Sequence, residues 1–487
     1  MSLLLPLVLV APLAAAALAA VRDERLAGRL STAAAGAVLA LAVALAWRVL
    51  ATGPVLARGA WLHADALAAL CALLVGVVGL AAAAYAARYM PWVARRQSEP
   101  SFSAGRFHAL FQLLLGALVL AAVANNLGLL WIAIEAGTLV SAVLVGYYRR
   151  PGAVEAGWKF LLLGSVGITL ALLATVLLYY SAVAGFGQGA AGLQWTALRE
   201  VAPTLDPRFV RLAFLFALVG YGTKAGIAPM HTWMPDAYGQ APTPVSALLA
   251  GGSGAVSLAA VLRFHAIAVR AGDPAQADGL LVVFGLLSMA VAVPFVLVQG
   301  DYKRLLAWSS LENTGLVLVA LGAGTPLGAF AGLLHLANQS LAKALAYLAG
   351  GSLSAIHEGR RMDHWGGAMA AAPPAGAAFA VAGAAIAALP PTAGFPSLAL
   401  ALAATFGAGR GAAGGAALAL LVTAFAGLAF HWTRVLLGAP RGAARDPLTL
   451  GARVPVWGLA GLVLLLGVWL PSPWRRLVEQ AAAVLRP

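Results

Sequence analysis

Residues 220–251 read GYGTKAGIAPMHTWMPDAYGQAPTPVSALLAG. The stretch continues an apolar run long enough to enter a membrane, and Gly226, Pro229 and Pro235 then interrupt it. Proline removes a backbone donor and clashes with the preceding turn, so a helix opens there. Open backbone at membrane depth survives only where protein or a water-filled cavity satisfies it. Lys224 sits just before the interruption, and His231 and Asp236 flank its far side. A second stretch of this kind, LPPTAGFP, covers residues 389–396 and carries Pro390, Pro391, Gly394 and Pro396.

The rest of the 487-residue chain supports a membrane setting: 62% of it is hydrophobic and only 10% charged, with mean hydropathy +0.90. Soluble domains are about 45–50% apolar and about 25% charged. A helix needs about 20 apolar residues to cross a bilayer. Fourteen candidate spans follow, at roughly 2–21, 31–51, 66–90, 107–125, 126–148, 155–183, 209–230, 241–270, 277–299, 302–322, 325–351, 370–408, 413–436 and 455–471. Arg22 and Arg25 follow the first run rather than precede it, which predicts an uncleaved first helix rather than a signal peptide. The expected class is an all-α polytopic membrane protein.

The net charge of +14 fits membrane topology better than nucleic acid, because the basic residues gather in short loops. Loops after the odd-numbered spans hold 17 Arg or Lys, among them Arg95, Arg96, Arg149, Arg150, Lys303, Arg360 and Arg361, against 10 on the other side. Positive-inside then predicts both termini on the non-cytoplasmic side. Cys71 is the only cysteine. CxxC pairs, P-loops, HExxH, GxSxG and a GxGxxG opening a helix after a strand are all absent from the sequence. The expectation is no metal and no cofactor in this chain, with energy supplied by a gradient or by partners.

The two interrupted spans, seventh and twelfth, are fourth in two consecutive blocks of five. Interrupted helices at matching places mark inverted-repeat transporters. The expected organisation is a three-helix segment over 1–103, five-helix repeats over 104–271 and 272–438, and a final helix with a short tail over 439–487. Ionisable residues inside spans are functional candidates by default. Glu135 lies mid-span in LLWIAIEAGTLVSAVL, and a carboxylate and an amine such as Lys224 can share a proton in one dry cavity. Glu155 and Lys159 are four residues apart, on one helical face. His335, Gln339 and Lys343 recur every fourth residue as a polar stripe, which reads as a wet path. Glu312 lies further into its span than Asp301, Lys303 and Arg304, which can reach the interface. His431 is near a span end.

At these residues the chain resembles a known family. The 220–251 stretch is similar to the signature of the proton-conducting, antiporter-like subunits shared by respiratory complex I, Mrp antiporters and membrane-bound hydrogenases. NNLGLLWIAIEAGTLVSAVLVGYYRRPGAVEAGWKF (125–160) and DYKRLLAWSSLENTG (301–315) most resemble component F of hydrogenase 4. The likeness covers roughly residues 104–400 and implies fourteen helices with paired inverted repeats. It also implies that Glu135 and Lys224 pair, and that Lys343, with His335 upstream, is the central lysine of span 11. Ala255 stands where the family often carries a polar residue or lysine, Gln339 replaces a histidine, and Leu398 replaces a lysine or glutamate thought to serve the far-side exit.

The function so implied is a proton-translocating subunit of a hydrogenase-4-like or complex I-related assembly in a bacterial inner membrane. Its partners would be other membrane subunits and a peripheral hydrogenase-like or dehydrogenase-like arm carrying the redox cofactors. With leucine at 398, either another group (His431, or water alone) completes the route, or the chain is a non-conducting scaffold for the redox arm. A third reading is a cation/proton or inorganic-carbon transport module.

Overall fold

The computed structural model describes residues 3–96, 103–186, 189–439 and 450–486. The chain opens with α1 (Leu4–Ala19) and α2 (Glu24–Thr52), a hairpin of β1 (Val55–Ala57) and β2 (Leu62–Ala64), and α3 (Ala66–Arg96). Next come α4 (Ala104–Val123), α5 (Leu127–Val145), α6 (Pro151–Phe186), α7 (Trp195–Val201) and α8 (Pro207–Ala225). After an interruption follow α9 (Met234–Gln240), α10 (Thr243–Leu248), a π-helical turn and α11 (Gly254–Arg270). The second half comprises α12 (Pro274–Val298), α13 (Tyr302–Leu321), α14 (Pro326–Ile356), α15 (Ala368–Ala371), α16 (Pro373–Ile386), α17 (Gly394–Gly407) and α18 (Gly411–Leu437). Last are α19 (Leu450–Val468) and α20 (Ser472–Leu485).

Among the described residues, 9 helices are long and apolar enough to cross a membrane, and α1, α16 and α17 are shorter apolar helices. The chain is an all-α, multi-pass membrane protein. Helices α8, α13 and α14 are also of membrane-crossing length but carry buried lysines, so their hydropathy is diluted. The expected boundaries near 103 and 439 adjoin segments outside the described residues.

Helix α14 is the axis: nearly every residue from Gly328 to Ile356 is buried, and α3, α13, α16, α17, α19 and α20 pack around it. Small residues allow the close approaches membrane helices need in place of a hydrophobic driving force. Where α12 crosses α13, a Cβ on Gly285 would lie 2.7 Å from the Gly315 carbonyl oxygen, so only glycine fits. Side-chain caps start several of the helices. Asp301 accepts from the Lys303 and Arg304 amides at α13, and Thr325 from the Gly328 amide at α14.

Both interruptions occur where the sequence placed them. Gly226 ends α8 at φ +80, a left-handed position that a side chain disfavours. The freed backbone finds partners: the Ala228 amide donates to Ser288 Oγ at 3.0 Å, and the Trp233 indole donates to the Thr223 carbonyl at 2.9 Å. In the second interruption, between Ile386 and Gly394, the Ala393 amide donates to the Val463 carbonyl at 3.0 Å. Asn338 Nδ2 donates to the Ala393 carbonyl at 2.6 Å.

Pro235 and Pro396 play a different part from the one expected. Each lies in the first turn of the following helix, α9 or α17, where amides have no intrahelical acceptor to lose. They begin the second segments; Pro229, Pro390 and Pro391 lie in the gaps. The expected short tail is in fact α20, whose apolar face (Leu477, Val478, Ala481, Leu485) is buried. Arg486 fastens its end to Asp278 and to the Leu321 carbonyl.

Candidate functional site

Two buried lysines organise the interior. Lys224 is on the last turn of α8, 6% exposed, and its Nζ has no hydrogen-bond partner. It lies 3.9 Å from the centroid of the Phe160 ring and 5.9 Å from that of Trp233. Aromatic faces attract cations through their quadrupole. The interruption builds this pocket, because the indole of Trp233 is aimed by its bond to the Thr223 carbonyl and packs edge-on against Phe160. Glu135 on α5 interacts electrostatically with Lys224, but no hydrogen bond joins them, and Glu135 Oε2 is buried without a partner.

Lys343 on α14 is held otherwise. Its Nζ donates to Ser309 Oγ at 2.6 Å, and the Glu312 carboxylate faces it electrostatically. Asn313 Nδ2 donates to Glu312 Oε2 at 2.6 Å and to the Ser309 carbonyl at 2.8 Å. His335 Nε2 meets Asn313 Oδ1 at 3.1 Å, and His335 Nδ1 meets Ser397 Oγ at 2.9 Å. Asn338 Nδ2 donates to the same Ser397 oxygen at 3.1 Å. A hydrogen-bonded chain therefore runs from Lys343 through Ser309, Asn313 and His335 to Ser397, beside the second interruption.

Two cavities adjoin that chain. One, of about 30 Å³, is lined by Ala255, Asn313, Gln339 and Lys343. Both amide atoms of Gln339 are buried without a partner. A water needs about 10–15 Å³ and two or more polar partners, so the small side chain at 255 leaves room for water. The other, of about 230 Å³, lies between Glu312, Asn313, Pro390 and Leu398 and is otherwise apolar.

The remaining predicted residues lie outside the two lysine centres. Lys159 pairs with Glu155 at 2.7 Å and with Asp236 at 3.2 Å; its side chain is 48% exposed. Asp236 also binds Arg304 at 2.7 Å, so these ions link α6, α9 and α13. His231 is buried against the Trp308 ring, its Nδ1 unpartnered. His431 lies late in α18. It follows the start of α18 by 20 residues, about 30 Å along the axis at 1.5 Å per residue. It bonds the Leu297 carbonyl near the end of α12, which places it at the opposite end of α18 from the α17–α18 turn.

Sequence reasoning missed one buried ion pair and one triad. Asp65, just before α3, makes a bidentate pair with Arg263 of α11, whose guanidinium lies 4.1 Å over the Trp195 ring. Burial pushes the Asp65 carboxyl up, and Arg263 overrides it, holding the group well below the usual carboxylate range. His63 stacks on the same indole, and burial, against the pull of Asp65, takes its imidazole down to about 4. His265 and Arg486 both bind Asp278. Among the described residues, no group of three or more His, Cys, Asp or Glu is placed to hold a metal ion.

Comparison with known proteins matches residues 124–424 to the family described as NADH:quinone oxidoreductase/Mrp antiporter, transmembrane. The chain is 37% identical to the hydrogenase-4 component F homolog of Methylacidiphilum infernorum over 86% of this chain and 87% of that protein. It is 31% identical to NADH-quinone oxidoreductase subunit N of Desulforudis audaxviator over 76% of this chain and 72% of that one. Its fold superposes on a chain of the Mrp complex from Dietzia sp. with TM-score 0.85 at 22% identity, covering 100% of this chain and 98% of that one.

Proposed function

The chain belongs to the NADH:quinone oxidoreductase/Mrp antiporter family of antiporter-like membrane subunits, and on that premise we propose that it carries protons across a bacterial inner membrane within a hydrogenase-4-like or complex I-related assembly. One observation carries the reading. Each half holds a buried lysine facing a carboxylate without a direct ion pair, and the second lysine is joined by hydrogen bonds to a helix interruption. Groups poised in this way can change protonation without first breaking a tight salt bridge.

The proposed route takes a proton to Glu135 and Lys224, then by water in the Ala255–Gln339 cavity to Lys343. From there water carries the proton to Glu312, which opens on the crevice beside Leu398, while Asn313 holds the Glu312 carboxylate and His335 in place beside Ser397. Lys159 with Glu155 and Asp236, and His231, lie on the entry side of this route. Electrostatic coupling to partner subunits drives the cycle, and redox cofactors reside on a peripheral arm rather than on this chain. Both termini face the non-cytoplasmic side in this reading, which the bias of basic residues between the loops favours.

The apolar walls around Leu398 favour a second reading, a non-conducting scaffold that anchors that arm. Proton uptake into vesicles carrying the intact assembly separates the two. Under the conduction reading, Glu135→Gln and Lys224→Ala abolish uptake while the complex assembles normally. Unchanged uptake in both variants establishes the scaffold.

A further inference from the structure

Asp236 bonds to neither Lys224 nor Lys343, yet its partners sit on helices that build both centres. It lies in the first turn of α9, the short segment that follows the first interruption. Arg304 of α13 donates to its Oδ1 at 2.7 Å, and Lys159 of α6 donates to its Oδ2 at 3.2 Å. One carboxylate therefore joins a helix of the first half to a helix of the second. Gly239, three residues further along α9, leaves Arg304 its path, because a Cβ there would lie 3.3 Å from Arg304 Cγ.

The chain neighbours of these ions form the first centre. Phe160 follows Lys159 directly, and Trp233 precedes Asp236 by three residues. Their rings meet edge-on at 4.7 Å, and Lys224 Nζ lies 3.9 Å from the first centroid and 5.9 Å from the second. A ring attracts a cation out to about 6 Å, so Trp233 stands at the limit of its reach. A small outward shift of α9 removes it. On the other side, Arg304 opens the helix that carries Ser309, Glu312 and Asn313. Two more cations of the second half hold the carbonyls where α9 ends: Lys303 Nζ donates to Ala241 at 2.8 Å, and Arg360 donates to Gly239. Tyr238 of α9 also packs edge-on against Tyr347, one turn from Lys343 on α14.

We propose that Asp236 is a positioning residue rather than a proton carrier: through Lys159 and Arg304 it sets where α9 holds Trp233 against Lys224, and it ties that placement to α13. Both of its oxygens are engaged by cations. The Lys159 and Arg304 side chains are 48% and 43% exposed, and ion pairs as open as these add little to stability. What the shared carboxylate contributes is geometry. A movement of α13 around Lys343 is then felt by the ring beside Lys224, and the reverse holds equally. The inference rests on the conduction reading.

The test measures proton uptake by the intact assembly in vesicles, with Lys224→Ala alongside. Asp236→Asn and Arg304→Gln should each lower uptake about two- to fivefold, the rate equivalent of one ring's attraction for an ammonium. Asp236→Glu keeps a carboxylate for both cations and should restore most of the rate. The pH profile separates position from charge. The first two variants remove charges of opposite sign, so a direct field effect on the proton sites moves the profile in opposite directions. A loosened α9 moves it in the same direction in both. Arg211→Gln breaks an ion pair of similar exposure, with Asp273 at 2.6 Å, that touches neither centre, and should conduct like the parent. Amide hydrogen exchange supplies a readout without transport: Asp236→Asn and Arg304→Gln should both speed exchange over residues 233–241. Opposite pH shifts, parent-like uptake and exchange in Asp236→Asn, or an equal loss in Arg211→Gln each overturn the proposal. If Lys224→Ala leaves uptake unchanged, the conduction reading fails instead, while faster exchange in the two variants still supports the hold on α9.

Discussion

Lys224 and Lys343 are both buried lysines facing a carboxylate, yet they are held by different chemistry. Lys224 rests against the rings of Phe160 and Trp233 with no hydrogen-bond acceptor. Lys343 donates to a hydroxyl and belongs to a chain of five polar side chains ending at Ser397. An ammonium at membrane depth costs about 2.5–3.5 kcal/mol. A ring face returns about 0.5–2 kcal/mol, and a hydrogen bond to a charged group about 1.5–3 kcal/mol. The first centre therefore holds its charge loosely and suits a gate. The second is better satisfied and has partners to pass a proton onward.

Removing either amine breaks the comparison most severely. Lys224→Met and Lys343→Met should each cut proton uptake by tenfold or more in vesicles, with assembly unchanged on native gels. Two centres in series require both losses; a loss at one alone means the other is a packing residue. Next in size is Asn313→Leu. This amide contacts Glu312, Ser309 and His335, so its loss interrupts the second centre only. Uptake should fall five- to tenfold, and a normal rate would remove Asn313 from the route.

Much of this architecture was legible in the residues. Interruptions announce themselves because several Pro and Gly fall together within a few residues, unlike the single Gly285 or Pro294 of α12, and Lys224 and Lys343 are conspicuous because charge there is expensive. The stripe His335–Gln339–Lys343 did mark one helix face: Gln339 and Lys343 share a cavity, and His335 and Lys343 are joined through Asn313 and Ser309. Ser309, Asn313 and Ser397 were invisible because neutral polar residues are common in spans and carry no spacing signal. Asp65 and Arg263 are 198 positions apart, so only tertiary packing reveals their pairing. Helix α20 escaped because it is amphipathic rather than apolar, and hydropathy finds only helices that are apolar all round.

A smaller effect should come from the cavity beside Lys343, through which the proposed route reaches that lysine. Ala255→Leu fills the cavity beside Gln339, where overpacking costs about 1–3 kcal/mol. Water would be displaced from the only link proposed between Lys224 and Lys343, and uptake should fall three- to fivefold. Ala255→Ser keeps the space and adds a hydroxyl, so it should conduct like the parent. If Leu conducts as well as Ser at this position, the link runs elsewhere.

A pair of variants, one of them with the smallest expected effect, sharpens the contrast itself. Phe160→Leu keeps an apolar side chain near Lys224 but removes the ring quadrupole, so the ammonium loses its one attractive neighbour on that side. Ser309→Ala removes the corresponding partner of Lys343. Because the hydroxyl accepts a direct bond and the ring does not, uptake should fall about twofold in the first variant and about fivefold in the second. Phe160→Trp, which offers a stronger quadrupole, should recover the parent rate where Phe160→Leu does not. Equal losses in the two variants, or a failure of tryptophan to rescue, would mean that the ring near Lys224 serves packing alone, and the two centres would then differ only in how many neighbours they have.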